Sequence, residues 1–298
     1  MKKRIEGATF NQENNLQNLT GIRLYDCNFT DGEDALKGSC DIRLENCDFS
    51  SRNSLWNVQN FTINDSRLGA AADAPIWHVN GFKMHDSRMD EKTRAAIWYA
   101  ENGRITESDL GGIKAVRECK NITLYDCNID SQEFGWKCSD IAMEDSNVHA
   151  AYLLHESRNV RLDNVEVRGD FSFQYMDNVQ VSNCFVNSNE AFRHSKNVTV
   201  VDSVIRGGCL GWHCENITFI GCKIIGAHPL CHCKNLKLID CVMEGSEQAF
   251  EGSDVKATIV GHLNSIKNPL SGKIVADSIG EVTVEDADVS NCKIFTRG

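Results

Sequence analysis

Along most of the chain, apolar and polar residues alternate in short bursts, and the bursts recur. The stretch Trp212-His213-Cys214-Glu215-Asn216-Ile217-Thr218-Phe219-Ile220-Gly221-Cys222-Lys223-Ile224 shows the arrangement: an Asn, an I-x-F alternation, an Asp/Asn/Gly slot, a Cys or Ser, and a second alternation. The same slots return as N-I-T-L-Y-D-C-N-I from Asn121, N-V-T-V-V-D-S-V-I from Asn197 and N-L-K-L-I-D-C-V-M from Asn235. The slot before the Cys or Ser falls at Asp26, Asn46, Asp65, Asp86, Glu107, Asp126, Asp145, Asn164, Asn183, Asp202, Gly221 and Asp240, spaced 20, 19, 21 and 21 residues and then 19 throughout. Alternation with period two marks short strands with one buried face. Asn, Asp and Gly at the junctions accept the left-handed backbone that a sharp bend requires. A third apolar run precedes the Asn, as A-P-I-W-H-V at 74–79 and A-A-I-W-Y-A at 95–100. Three short strands and three bends per repeat predict a parallel β-helix, each strand pairing with its equivalents one turn away, in the right-handed coil expected of parallel crossovers.

A repeat of this size cannot bury a core alone, so the turns must stack. The expected fold is all-β: a single-stranded right-handed parallel β-helix of about 12 to 14 turns, one domain over residues 1–298. Residues 1–18 are expected to form the N-terminal cap, 19–254 the regular turns, and 255–298 irregular last turns and the C-terminal cap, since a terminal turn otherwise exposes unpaired strands. A leucine-rich repeat shares part of the I-x-L-x-x-C-x-I signature. Its period of about 20 to 29 residues is longer, however. Its leucine slot reads Ser, Val, Ala and Cys here, and the rest of each unit reads as strand.

Composition narrows the function. A net charge of -11 argues against a nucleic-acid groove, which needs a basic face. There is no apolar run of membrane-spanning length, and the start M-K-K-R-I-E-G lacks the apolar core of a signal peptide. A cytoplasmic protein with no membrane partner is therefore expected. The 14 cysteines follow the repeat: Cys27, Cys47, Cys127, Cys184, Cys222 and Cys241 share a slot with Ser66, Ser87, Ser108, Ser146 and Ser203. Such exchange predicts small buried side chains kept as thiols.

Candidate chemistry lies in two columns counted back from the bend Asn. The fourth residue back gives Lys37, Trp56, Trp77, Trp98, Arg117, Trp136, His155, Gln174, Arg193, Trp212, Cys231 and Phe250, and holds every tryptophan of the chain. Because Lys, Arg and Gln share it, this column is expected to face outward. The third gives Gly38, Asn57, His78, Tyr99, Glu118, Lys137, Glu156, Tyr175, His194, His213, His232 and Glu251. At about 4.8 Å per turn the two form a stripe of about 50 to 55 Å. Trp and Tyr faces suit the apolar faces of sugars, while Arg, Lys, His and Glu suit hydroxyls and carboxylates, so Trp56, Trp77, Trp98, Arg117, Trp136, Lys137, His155, Gln174, Trp212 and His232 are the candidate substrate-binding residues. Aromatic ladders that merely stabilise their own turns give the same pattern.

The N-V-x-V-x-[DN]-[CS]-x-[IFV] run over residues 21–243 resembles the pectin-lyase-like right-handed β-helix superfamily, and in particular its uncharacterised bacterial members of unknown function. The resemblance implies a substrate cleft on the strand corresponding to Trp212-His213-Cys214, and an oligosaccharide or polysaccharide fragment as partner. The polygalacturonase carboxylate cluster is absent, and so are clustered outer aspartates for calcium. No cofactor is expected. Three mechanisms stay open. Glu118 and Glu156, two turns apart at about 9.6 Å between backbones, match inverting hydrolysis. Tyr175, Arg193, His194 and His213 could neutralise a uronate and abstract a proton, as a lyase requires. His194, His213 and His232, with Cys231 beside them, could converge on zinc only if their rings lean inward, so no metal is assigned. A hydrolase or lyase, expected to need a deep cleft near 117–232, stands beside a non-catalytic glycan- or protein-binding module. The constant 19-residue spacing there leaves little room for walling loops. Self-association into a homo-oligomer stays open.

Overall fold

The computed structural model describes residues 3–12, 16–285 and 290–297. It is an all-β parallel solenoid of about 15 turns. Regular helix among the described residues is confined to one 3-10 turn, Ala70–Ala72, and no helix is long and apolar enough to cross a membrane. The chain divides into two compact units, Met1–Ala150 and Ala151–Gly298.

In the first unit, six-residue strands Cys40–Glu45, Gln59–Asn64, Asn80–His85, Glu101–Thr106 and Lys120–Tyr125 pair in parallel, each with the next. The register aligns Phe61 with Phe82 and Ile105 with Leu124. A second stack joins Asp48–Phe49, Arg67–Leu68, Arg88–Met89 and Asp109–Gly112. A third, two residues deep, joins Ile76–Trp77, Ile97–Trp98 and Val116–Arg117. Identical slots stack, so the core is a set of columns: Phe29 lies over Phe49 at 4.7 Å and Phe61 over Phe82 at 5.6 Å. Where a ring leans across, the neighbour must shrink. A Cβ on Gly103 would sit 2.2 Å from the Phe82 ring.

The second unit repeats the scheme with Arg158–Asp163, Asp177–Ser182, Lys196–Val201 and Glu215–Ile220 paired in register. After Leu238 the register slips within the nine-residue strand Leu236–Glu244. Residues 250–252, which precede the slipped partner Ile259, are offset separately. Phe250 is fully buried with φ 68°, as Leu230 is with φ 60°, and Gly252 lies against the His232 ring. Phe250 therefore belongs to the core column and Gly252 continues the histidine column. The plain count that placed Phe250 in the fourth column and Glu251 in the third is corrected by one residue.

The bends are where the pattern placed them. All twelve residues of the Asp/Asn/Gly slot, Asp26 to Asp240, have positive φ, as do Asn60, Asn102, Asn121, Asn159, Asn178, Asn197, Asn216 and Asn235. Amide side chains of the second set link turn to turn, Asn121 to Asn102 at 2.6 Å and Asn216 to Asn197 at 3.0 Å. The Cys/Ser slot proves to be a hydrogen-bonding position. Its side chain accepts the backbone N–H of the equivalent residue one turn earlier, as Ser66 Oγ does for Cys47 at 2.9 Å and Ser146 Oγ for Cys127 at 3.1 Å. The hydroxyl then donates to the carbonyl two residues back, Ser66 to Asn64 at 2.6 Å. Eleven cysteines are buried, and no disulfide joins the described ones.

Candidate functional site

The third column back from the Asn is itself a left-handed bend. Asn57, His78, Tyr99, Glu118 and Lys137 in the first unit have φ of 50° to 55°, and Glu156, Tyr175, His194, His213 and His232 in the second have φ of 55° to 59°. Left-handed backbone costs a residue with a Cβ about 1–2 kcal/mol, so something must offset it. In the second unit the offset is a ring stack: Tyr175–His194, His194–His213 and His213–His232 each have centroids 4.9 Å apart and planes within 15°. Such pairs contribute about 0.5–1.5 kcal/mol each. The rings stand edge-outward, and Tyr175 is 50% exposed.

The fourth column is half-buried rather than outward. Trp56, Trp77, Trp98, Trp136 and Trp212 are all of intermediate exposure, while Gln174 at 7% and Cys231 are buried, as is Phe250, which the one-residue shift moves from this column into the core; the outward placement of those three is corrected. Gln174 donates inward to the Glu190 carbonyl at 3.2 Å, a partner that makes its burial tolerable. In the first unit Lys37 Nζ lies 3.5 Å over Trp56, Trp56 stacks on Trp77 at 5.1 Å, and Trp77 stacks on Trp98 at 6.0 Å. The indole faces expected to meet sugar are thus covered by each other and by a lysine. The Trp77 indole nitrogen is also buried, without a hydrogen-bond partner among the described residues. Trp212 in the second unit meets His213 and His232 edge-on and spends its N–H on the His228 carbonyl at 2.7 Å.

The candidate acids lie in different units, Glu118 in the first and Glu156 in the second. Burial raises the Glu118 carboxyl, but the Tyr99 hydroxyl and the Arg117 guanidinium, 3.0 Å away, outweigh it and hold the group below the usual carboxylate range. Arg117 also reaches Glu133 at 3.8 Å and lies 5.9 Å from the Trp136 ring. Lys137 is exposed at the next turn. Glu156 lies 3.5 Å from His155, whose ring meets Tyr175 edge-on at 5.3 Å. Arg193 is held by Glu190 at 2.6 Å, a partner the sequence reading missed because Glu190 falls outside both columns. Burial and then Arg193 lower His194; burial, then His232, His194 and Arg193 lower His213. Both rings are therefore biased to the neutral form. Parallel rings 4.9 Å apart cannot bring three nitrogens to about 2.1 Å from one ion, and no metal-holding group of His, Cys, Asp and Glu occurs among the described residues.

Two concavities mark the first unit. One of about 660 Å³ runs along the Asp26, Asn46, Asp65, Asp86 and Glu107 bends, and one of about 770 Å³ lies between Thr30 and Arg94. Neither is lined by a stripe residue. Arg67 bridges Asp48 of the first wall at 3.3 Å and Asp90 outside it at 2.6 Å.

Among solved structures, the chain is similar to a mannuronic acid specific polysaccharide family 6 lyase from human gut microbiota, at 9% identity and TM-score 0.40, covering 86% of this chain and 83% of that one. It is similar to the periplasmic alginate epimerase AlgG at 9% and 0.38, covering 87% and 76%. It is similar to the Streptococcus pneumoniae surface protein and adhesin PfbA at 9% and 0.38, covering 97% and 91%. Comparison with curated proteins finds no match. One family model matches residues 3–77 and 71–296, nearly the whole solenoid, so the chain belongs to the family described as protein of unknown function (DUF3737).

Proposed function

We propose that this chain is a saccharide-binding repeat protein that holds an extended glycan along the ring column of its second unit without cleaving it. The observation that carries the reading is the Tyr175–His194–His213–His232 stack, which offers hydroxyl and imidazole edges at steps of 4.9 Å. A row of donors and acceptors at fixed intervals suits a polymer whose hydroxyls recur. Recognition would run through those edges, since the ring faces are spent on one another. Cleavage is disfavoured by the state of Glu118. General acid catalysis needs a carboxyl that keeps its proton near neutral pH, whereas Glu118 is held ionised by Tyr99 and Arg117.

One feature favours elimination as the second reading. His194 and His213 are biased toward the neutral form that a base requires, and Arg193 lies beside them. One experiment separates the two: titrate neutral and acidic oligosaccharides while following histidine ring resonances, and assay the same mixtures for new reducing ends and unsaturated ends. Binding without product supports the proposal. Silence toward every glycan sinks it, and product formation that stops in His194→Asn and His213→Asn replaces it with the lyase.

A further inference from the structure

The core columns of the second unit run out into solvent at its last turn. Leu263, Ile266 and Ile274 are fully buried. Their registered partners one turn on are Ile279, Val282 and Ile294. Ile279 and Ile294 are only half-buried, and Val282 is 46% exposed. The strands that carry them, Ser278–Thr283 and Asn291–Thr296, each pair on one edge with the preceding turn. The other edge has no partner among the described strands of this unit. Open strand edges beside exposed core residues are templates for pairing with another chain.

The two edges carry opposite charge. Ser278–Thr283 bears Glu281 and is followed by Glu285; Asn291–Thr296 bears Lys293 and is followed by Arg297, all four exposed. Arg297 is held by Asp277 at 3.0 Å and Glu285 by the Asn268 amide at 3.0 Å, so Glu281 and Lys293 carry the complementarity. We propose that this end is an interface between two copies of the chain. They are related by a two-fold axis, so that Asn291–Thr296 of one copy runs antiparallel to Ser278–Thr283 of the other. A two-fold turns the second copy end over end, which makes facing strands antiparallel and forms each contact twice. Lys293 then meets Glu281 across both seams, Val282, Ile279 and Ile294 cover their counterparts, and the open N–H and C=O groups find partners. A second copy fits better than a peptide of one charge, because Glu281 and Lys293 lie on one end and this symmetry brings each to the other's counterpart.

Sedimentation equilibrium of the full chain, with far-UV circular dichroism as the check on folding, tests the proposal independently of glycan binding. The expected result is a closed dimer. Val282→Glu, Glu281→Lys and Lys293→Glu should each weaken it by about tenfold or more, and the double variant Glu281→Lys/Lys293→Glu should regain much of the loss. Should Val282→Glu fail to fold, the charge swap still decides. A monomer at every concentration overturns the proposal. So do open-ended filaments, the mark of head-to-tail stacking, and a dimer indifferent to these substitutions.

Discussion

Ser66 Oγ takes the N–H of Cys47 and gives its own proton to the Asn64 carbonyl, so removing it strands a buried donor. An unsatisfied buried group costs about 1–3 kcal/mol. Ser66→Ala should lose that much in urea unfolding, while Cys127→Ser, which keeps an acceptor in the slot, should lose far less. The exchange of Cys with Ser reads in the sequence as a demand for small size. That it is also a demand for an acceptor was hidden, because Cys and Ser satisfy both. Burial makes most of these thiols unreactive: it pushes Cys47 and Cys184 up to about 11 and Cys231 to about 12. Cys222 departs from this, held down at about 7 by the hydrogen bond with Cys241, yet it too is shut away from reagent. Access then decides, and thiol titration of the native chain should reach only half-buried Cys40, Cys209 and Cys292 quickly, and the rest on unfolding. The imidazoles give a pH dependence of known sign. Folding depresses His213 below the ordinary 6.5, so the unfolded chain binds more protons as pH falls. The stack's contribution is full above that value and declines as pH drops through the folded one. His213→Asn, which still accepts left-handed backbone, should flatten the fall of the melting temperature between neutral and mildly acidic pH.

At the scale of the element, the indole series behaves as one object. Trp77 has a neighbour on each face, Trp56 at 5.1 Å and Trp98 at 6.0 Å, so Trp77→Ala breaks two ring pairs at once. The expected loss is about 1–3 kcal/mol from those pairs, with collapse of the near-UV dichroism of coupled indoles as the independent sign. The column was legible in the sequence; the plane of its rings was not. Spacing tells which residues stack, yet whether a ring turns its face or its edge to solvent depends on the backbone of the next residue. Here that residue is left-handed, at His78, Tyr99 and His213 alike, although none of them is a Gly or Asn that would have announced a bend. Gln174 was misplaced for a related reason. Its amide looks like a surface group until the carbonyl of Glu190 is brought to 3.2 Å.

For the whole molecule, contacts between equivalent slots of successive turns make the period itself the unit of folding. Excising residues 178–196, one full 19-residue period, joins Asp177 to Asn197 and leaves each strand with an equivalent neighbour. That variant should fold with an unchanged dichroism spectrum per residue, whereas removing half as many residues should not. Strands, bends and period were legible because every turn repeats the same evidence. The one-residue offset at Phe250 and Gly252 was not, since a single irregular turn offers nothing to average over. That offset places Gly252 against the last imidazole, where a Cβ would come within 2.5 Å of the His232 ring nitrogen. The imidazole row is therefore extensible in one direction only. A histidine in place of Tyr175 would lengthen it, but beyond His232 any side chain collides, so a ligand lying along the row meets unlike ends and has a preferred polarity.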